Sequence, residues 1–200
     1  MKKTAIFAAL SILLTGSTIA CASNRLEQAL DLTPVPTEEV SLEENKETKQ
    51  WVCKGCTDVE NQVLVALQDQ GIKDKVALSV LLGNIKQESK FQTTICEGGR
   101  KTGYYGCRRG GFGLIQWTTQ GRYDGLGRVA RQYQLNPDSL DAQLKWLFAE
   151  REWKSVEHKF KTEGQSMSFY MNAAYRWLGW GVHGARTHYS QQYSHYLHFE

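Results

Sequence analysis

Proline is scarce, at three residues in 200, which excludes a proline-rich linker protein. Long apolar runs are missing too. With 22% charged residues the chain is not a multi-span membrane protein. Full disorder is excluded from the other side, because 41% of the residues are hydrophobic. There is no glycine-rich phosphate loop and no internal repeat. A net charge of +3 is too diffuse to argue for nucleic acid. His183, His188, His195 and His198 form no i, i+4 pair and have no acids beside them, so no metal site is expected, and no cofactor. What is abundant is glycine, with 18 residues, and aromatic side chains.

The charge is unevenly placed. Residues 23–50 carry seven acids and three bases, whereas residues 51–200 carry 14 acids and 19 bases. All six Trp, all nine Tyr and six of the seven Phe lie in that second part. The working region is therefore a mildly basic, aromatic-rich domain behind an acidic leader. Before the leader, Lys2 and Lys3 precede an apolar run from Ala5 to Leu14, too short for a bilayer anchor. Small residues follow. Residues 1–22 read as a secretory signal peptide. Two processing routes are open. Ala20-Cys21-Ala22 fits cleavage before Ser23, and Thr18-Ile19-Ala20-Cys21 is similar to a bacterial lipobox with Cys21 acylated. A lipid on Cys21 would be the only link to a membrane. Residues 23–50, rich in Glu and poor in aromatics, read as a disordered linker.

Export favours oxidised thiols. Without Cys21 four cysteines remain, an even count that allows three pairings. Cys53–Cys56 with Cys96–Cys107 is the preferred one, and the second bridge would contribute about 3 kcal/mol. A zinc half-site at Cys53 and Cys56 and a catalytic cysteine are the rivals.

Thr57-Asp58-Val59-Glu60 is a capping box, predicting a helix to Gln70. A second helix is expected from Lys75 to Ser89, with Val76, Ala77, Val80, Leu81 and Ile85 at 3.6-residue spacing. Residues 91–113 predict a small hairpin or irregular β lobe around Gly98-Gly99. Helical patterns resume over Gly121–Tyr133, Asp138–Phe160, Ser166–Trp177 and His183–Leu197. The domain, residues 51–200, is thus expected to be mainly α.

Glu88 stands out. It follows Ile85 by three residues and Leu81 by seven, which puts it on the apolar face of the second helix. It also lies near the helix C-terminus, where the dipole disfavours negative charge. Both effects raise a carboxyl pKa, as a general acid requires. The competing reading is an ordinary ion pair with Lys86 or Lys90.

The run Gly83-Asn84-Ile85-Lys86-Gln87-Glu88-Ser89 is followed by Gly111-Phe112-Gly113-Leu114-Ile115-Gln116-Trp117-Thr118 and Gly121-Arg122. Farther on come Gln143-Leu144-Lys145-Trp146-Leu147 and Ala173-Ala174-Tyr175. This ordered set resembles the phage tail lysozyme family of the lysozyme-like superfamily, over about residues 57–196. The Glu-Ser pair and the Gly-Leu-x-Gln run are also similar to goose-type lysozymes and soluble lytic transglycosylases. The resemblance implies an α+β lysozyme-like fold, with the β-hairpin lobe beside an active-site cleft. It implies cleavage of the β-1,4 bond between N-acetylmuramic acid and N-acetylglucosamine in peptidoglycan. Glu88 matches the family's acid, and Gln116 and Trp117 match the motif lining the sugar groove. Tyr175 matches a tyrosine that holds the acid in related transglycosylases, although Arg176 replaces the Asn that follows it there. For a second carboxylate the candidates are Glu97 and, less directly, Asp124. The rival functions are a non-catalytic wall-binding protein with the same fold and a thiol enzyme using Cys53 and Cys56.

Overall fold

Helix α1 (Asp58–Asp69) begins where the capping box predicts. The Thr57 hydroxyl accepts from the Glu60 N–H, and the Glu60 carboxylate accepts from the Thr57 N–H at 2.7 Å. The computed structural model describes residues 49–108 and 110–200. The signal peptide, Cys21 and nearly all of the acidic linker lie outside the described residues.

Helix α2 (Lys75–Ser89) is capped by Asp74, whose side chain accepts the Ala77 N–H at 2.9 Å. Every residue from Ala77 to Ile85 is buried. A helix buried on all sides is the centre of its domain, not an amphipathic wall. Around it pack α1, α7 (Met167–Leu178) and α8 (Arg186–Tyr196). The contact with α8 is the most extensive and depends on Gly83. A Cβ there would sit 2.8 Å from the Ser190 Cα, so only glycine lets the two backbones meet.

After α2 the chain turns sharply. Lys90 and Phe91 both take left-handed backbone angles, φ 51° and 61°. They lead into the β lobe: β2 (Ile95–Cys96) pairs antiparallel with β3 (Arg100–Lys101). The Cys96–Cys107 disulfide closes this lobe, and Cys53–Cys56 closes the turn before α1. A second two-stranded sheet was not expected. In it β1 (Trp51–Cys53) pairs with β4 (Leu197–Phe199), joining the two ends of the described region.

Helix α3 (Gln120–Gln132) follows the lobe. The single helix expected over 138–160 is instead three: α4 (Leu140–Ala149), α5 (Arg151–Lys154) and α6 (Glu157–Phe160). The first break is at Glu150, whose ψ of 149° is extended. Its carboxylate turns into the core, and the helical path is given up for that contact. Trp153 then stacks on Phe160 at 5.6 Å and meets Trp177 edge-on at 5.0 Å. Full burial of each such ring contributes about 1.5–3 kcal/mol. The fold is thus mostly helical, with eight α-helices among the described residues and a small antiparallel β lobe.

Candidate active site

Glu88 occupies the last turn of α2, and its side chain is 15% exposed. The next residue explains the Glu-Ser pairing. The Ser89 hydroxyl donates to the Leu114 carbonyl at 2.7 Å, tying the end of α2 to the Gly-Leu-x-Gln turn. That turn is tight: the Gln116 N–H donates to the Gly113 carbonyl, and Phe112 and Trp117 exchange two backbone bonds across it. Gln116 takes a left-handed φ of 53°, and its amide Nε2 donates back to the carbonyls of Gly113 (3.0 Å) and Ile95 (3.3 Å). The same turn is braced from α4. Gln143 Oε1 accepts the Leu114 N–H at 2.8 Å, while its Nε2 donates to the carbonyls of Thr93 and Pro137.

Among the described residues the Glu88 carboxylate takes one hydrogen bond, through Oε1 from Arg186 Nη2 at the start of α8. Burial pushes its pKa up. The nearby guanidinium groups of Arg186 and Arg122 pull the other way, and burial prevails. Arg186 also donates to the carbonyls of Val182 (2.9 Å) and His183 (2.8 Å), and its guanidinium lies 4.4 Å from the centre of the Trp180 ring.

The other sequence-predicted residues are placed as follows. Trp117 is fully buried with its indole N–H on Glu150, so neither face of its ring is open to a sugar. Glu97, at the tip of the β lobe, accepts the Gly111 N–H at 3.0 Å and so pins the return of the lobe. Asp124 borders a separate cleft of about 250 Å³ with Arg108, Thr118 and Tyr123. Tyr175 is half exposed on α7 and meets Trp180 edge-on at 5.2 Å. With Met167, Met171, Asn172 and His183 these two rings line an open cleft of about 520 Å³. Arg186 joins that cleft to Glu88, since it packs on Trp180 and pairs with the acid.

A phage tail lysozyme family model matches residues 58–193. The chain belongs to the phage tail lysozyme family. No curated protein and no solved structure matches it. The matched region runs from α1 into α8 and contains Glu88, Gln116, Tyr175 and Arg186. Membership in the phage tail lysozymes assigns the chain a lysozyme-like, cell-wall-lytic role, with peptidoglycan as the substrate. With the two disulfides it also points to an exported protein.

Sequence reasoning missed two members of the site. Arg186 lies 98 positions from Glu88, and no local motif announces such a pair. Glu150 was read as one more residue of a long helix. Its only signal was an acid directly after the apolar pattern of α4.

Proposed function

We propose that this phage tail lysozyme cleaves the β-1,4 bond between N-acetylmuramic acid and N-acetylglucosamine, with Glu88 as general acid. The observation that carries the reading is the largely buried Glu88 carboxyl at the end of α2, its pKa raised by burial and approached by a single donor among the described residues. In the reaction its proton passes to the glycosidic oxygen as the C1–O bond breaks, and the bonding pair stays on that oxygen. The resulting carboxylate then takes a proton from the hydroxyl that adds to C1, which restores the acid. The Tyr175–Trp180 cleft supplies ring faces for sugars. Gln116 edges the groove, with Trp117 supporting it from beneath.

Glu88 works here without a carboxylate partner. Supporting this, Glu97 is committed to the Gly111 N–H, and the charges acting on Glu88 are both cationic. The hydroxyl that attacks is then water or the sugar's own 6-hydroxyl. Export through residues 1–22 and a tether over 23–50 would deliver the domain to the cell envelope, free after cleavage before Ser23 or lipid-anchored on Cys21.

Mass spectrometry of digested sacculi tests the reading. Wild type releases muropeptides, Glu88→Gln releases none while still binding glycan, and Glu97→Gln retains activity. Reducing ends identify water as the nucleophile, and anhydro ends identify the 6-hydroxyl. Equal losses at Glu88 and Glu97 would assign a two-carboxylate mechanism instead. No release by wild type would leave a wall-binding protein.

A further inference from the structure

Arg186 is 4% exposed, far more enclosed than a surface ion-pair partner. Two of its bonds go to backbone carbonyls, at Val182 and His183, and one face lies on Trp180. The guanidinium cannot swing without giving up both. Its Nε is buried with no hydrogen-bond partner among the described residues. Glu88 is the one carboxylate with which it forms an ion pair there.

The chain leading to Arg186 is fixed by the neighbour of the acid. Gln87 Oε1 accepts the Ala185 N–H at 2.9 Å. A Cβ on Gly184, where φ is +60°, would fall 2.8 Å from the Gln87 amide carbon. So adjacent residues of α2 hold the two parts of one element: Gln87 holds the backbone before α8, and Glu88 holds the first side chain of α8.

We propose that Arg186 is a positioning residue that sets the working acidity of Glu88. It occupies Oε1, leaves Oε2 to carry the proton, and faces the negative charge that forms on the carboxylate when that proton departs. The proposal rests on Glu88 being the acid. Burial alone favours the protonated form of this carboxyl and so opposes the loss of its proton. A fixed cation on the opposite oxygen favours the carboxylate that forms as the C1–O bond breaks, and its held guanidinium need not move to do so. The proton goes from Oε2 to the leaving oxygen, the bonding pair goes with that oxygen, and Arg186 keeps its charge throughout.

The other charged groups around Glu88 are already engaged or lie elsewhere. Arg122 of α3 is bound through two nitrogens to Glu150. Lys86 of α2 is paired with Glu60. The His183 ring, in the loop before α8, bonds Thr187. Lys90 caps α2 and is exposed, and Tyr175 of α7 meets Trp180.

The test is a ¹³C-carboxyl NMR titration of Glu88, run beside the pH dependence of muropeptide release. It compares wild type, Arg186→Gln, Arg186→Lys and Gln87→Leu. In Arg186→Gln the Glu88 midpoint and the alkaline limb of activity both move to higher pH. kcat falls about tenfold or more while the apparent KM holds. Arg186→Lys restores the midpoint toward wild type. Gln87→Leu, which frees the loop and spares the guanidinium, moves it in the same direction by less, and stands in if Arg186→Gln does not fold. An unmoved Glu88 midpoint in Arg186→Gln, or in Gln87→Leu where Arg186→Gln does not fold, overturns the proposal, as does a moved midpoint with unchanged kcat. Failure of the underlying reading looks different: Glu88→Gln would then keep cleaving glycan, whatever the titration reports.

Discussion

Glu150 provides the sharpest test of how the site is supported. Its side chain is fully buried. Oε1 accepts from the Trp177 indole at 2.8 Å and from Arg122 Nη2 at 2.7 Å. Oε2 accepts from the Trp117 indole at 3.0 Å and from Arg122 Nε at 2.9 Å. Each oxygen thus serves one indole and one guanidinium nitrogen. In Glu150→Gln one of the two oxygens becomes an amide NH₂, which accepts nothing. Whichever is replaced, one indole N–H and one guanidinium N–H face another donor, and the negative charge is gone as well. Breaking a buried ion pair costs about 3–5 kcal/mol. Arg122 is 12% exposed and has Glu152 3.9 Å away, which places the loss near the low end, about 3 kcal/mol. For a domain of this size that is a Tm drop of about 6–12 °C. Thermal unfolding followed by circular dichroism at neutral pH, with disulfides intact, measures it. A loss below about 1 kcal/mol would refute the argument that the isostere cannot satisfy these four donors.

Two further predictions concern the packing around α8. Gly83→Ala gains about 1 kcal/mol in helix propensity but drives a methyl into the Ser190 backbone, an overpacking cost of up to about 3 kcal/mol. A net loss near 2 kcal/mol is expected in urea unfolding, and a stabilised variant would show that α8 yields easily. The second prediction compares the pH dependence of stability in Glu60→Gln and Glu88→Gln. Burial raises the Glu60 pKa, but hydrogen bonds from Tyr193 and Thr57 and the charge of Lys86 outweigh it and leave the group below its ordinary 4.5. Its stabilisation is present above that value and is lost as pH falls through the folded pKa, so Glu60→Gln flattens the acid side. Glu88 is raised above 4.5, so its contribution is full below that value and fades as pH rises through the folded pKa. Glu88→Gln therefore flattens the stability curve on the other side of 4.5. Tm measured from acid to neutral pH separates the two, and parallel curves for both variants would contradict the assigned directions.

The helices around Glu88 were legible because their signals are local. The capping box at Thr57 and the apolar spacing from Val76 to Ile85 are each contained within a few turns. The disulfide pairing was legible for the same reason, since both bridges close short loops. What the sequence did not reveal lies in long-range contact. Three-residue strands such as β1 and β4 carry no alternation to read. The break at Glu150 follows from two indoles and an arginine supplied by other elements, and nothing in the α4 pattern reports them. Trp117 sits in a motif shared with sugar-binding grooves, but an aromatic beside a groove and one beneath it have the same local sequence. Its burial is decided by Glu150, 33 residues away.

The difference between Glu60 and the proposed acid Glu88 also comes down to donors delivered from a distance. Glu60 and Glu88 both face α8, against Tyr193 and Arg186, which lie seven positions apart on that helix. Burial opposes ionisation at both. Glu60 accepts from the Thr57 N–H, the Thr57 hydroxyl, Lys86 and Tyr193. Those four donors fill the lone-pair sites of a carboxylate and overcome its desolvation, so Glu60 stays charged and locks α1 to α2 and α8. Glu88 has one donor among the described residues. That single bond orients the carboxyl without overcoming its desolvation, which leaves its pKa above the ordinary carboxyl value. Two helices packed beside α8 therefore hold, on α1, a carboxylate saturated for anchoring and, on α2, one left short of donors, the group proposed as the acid. Supplying Glu88 with further donors would turn it into a second anchor and remove the proposed acid.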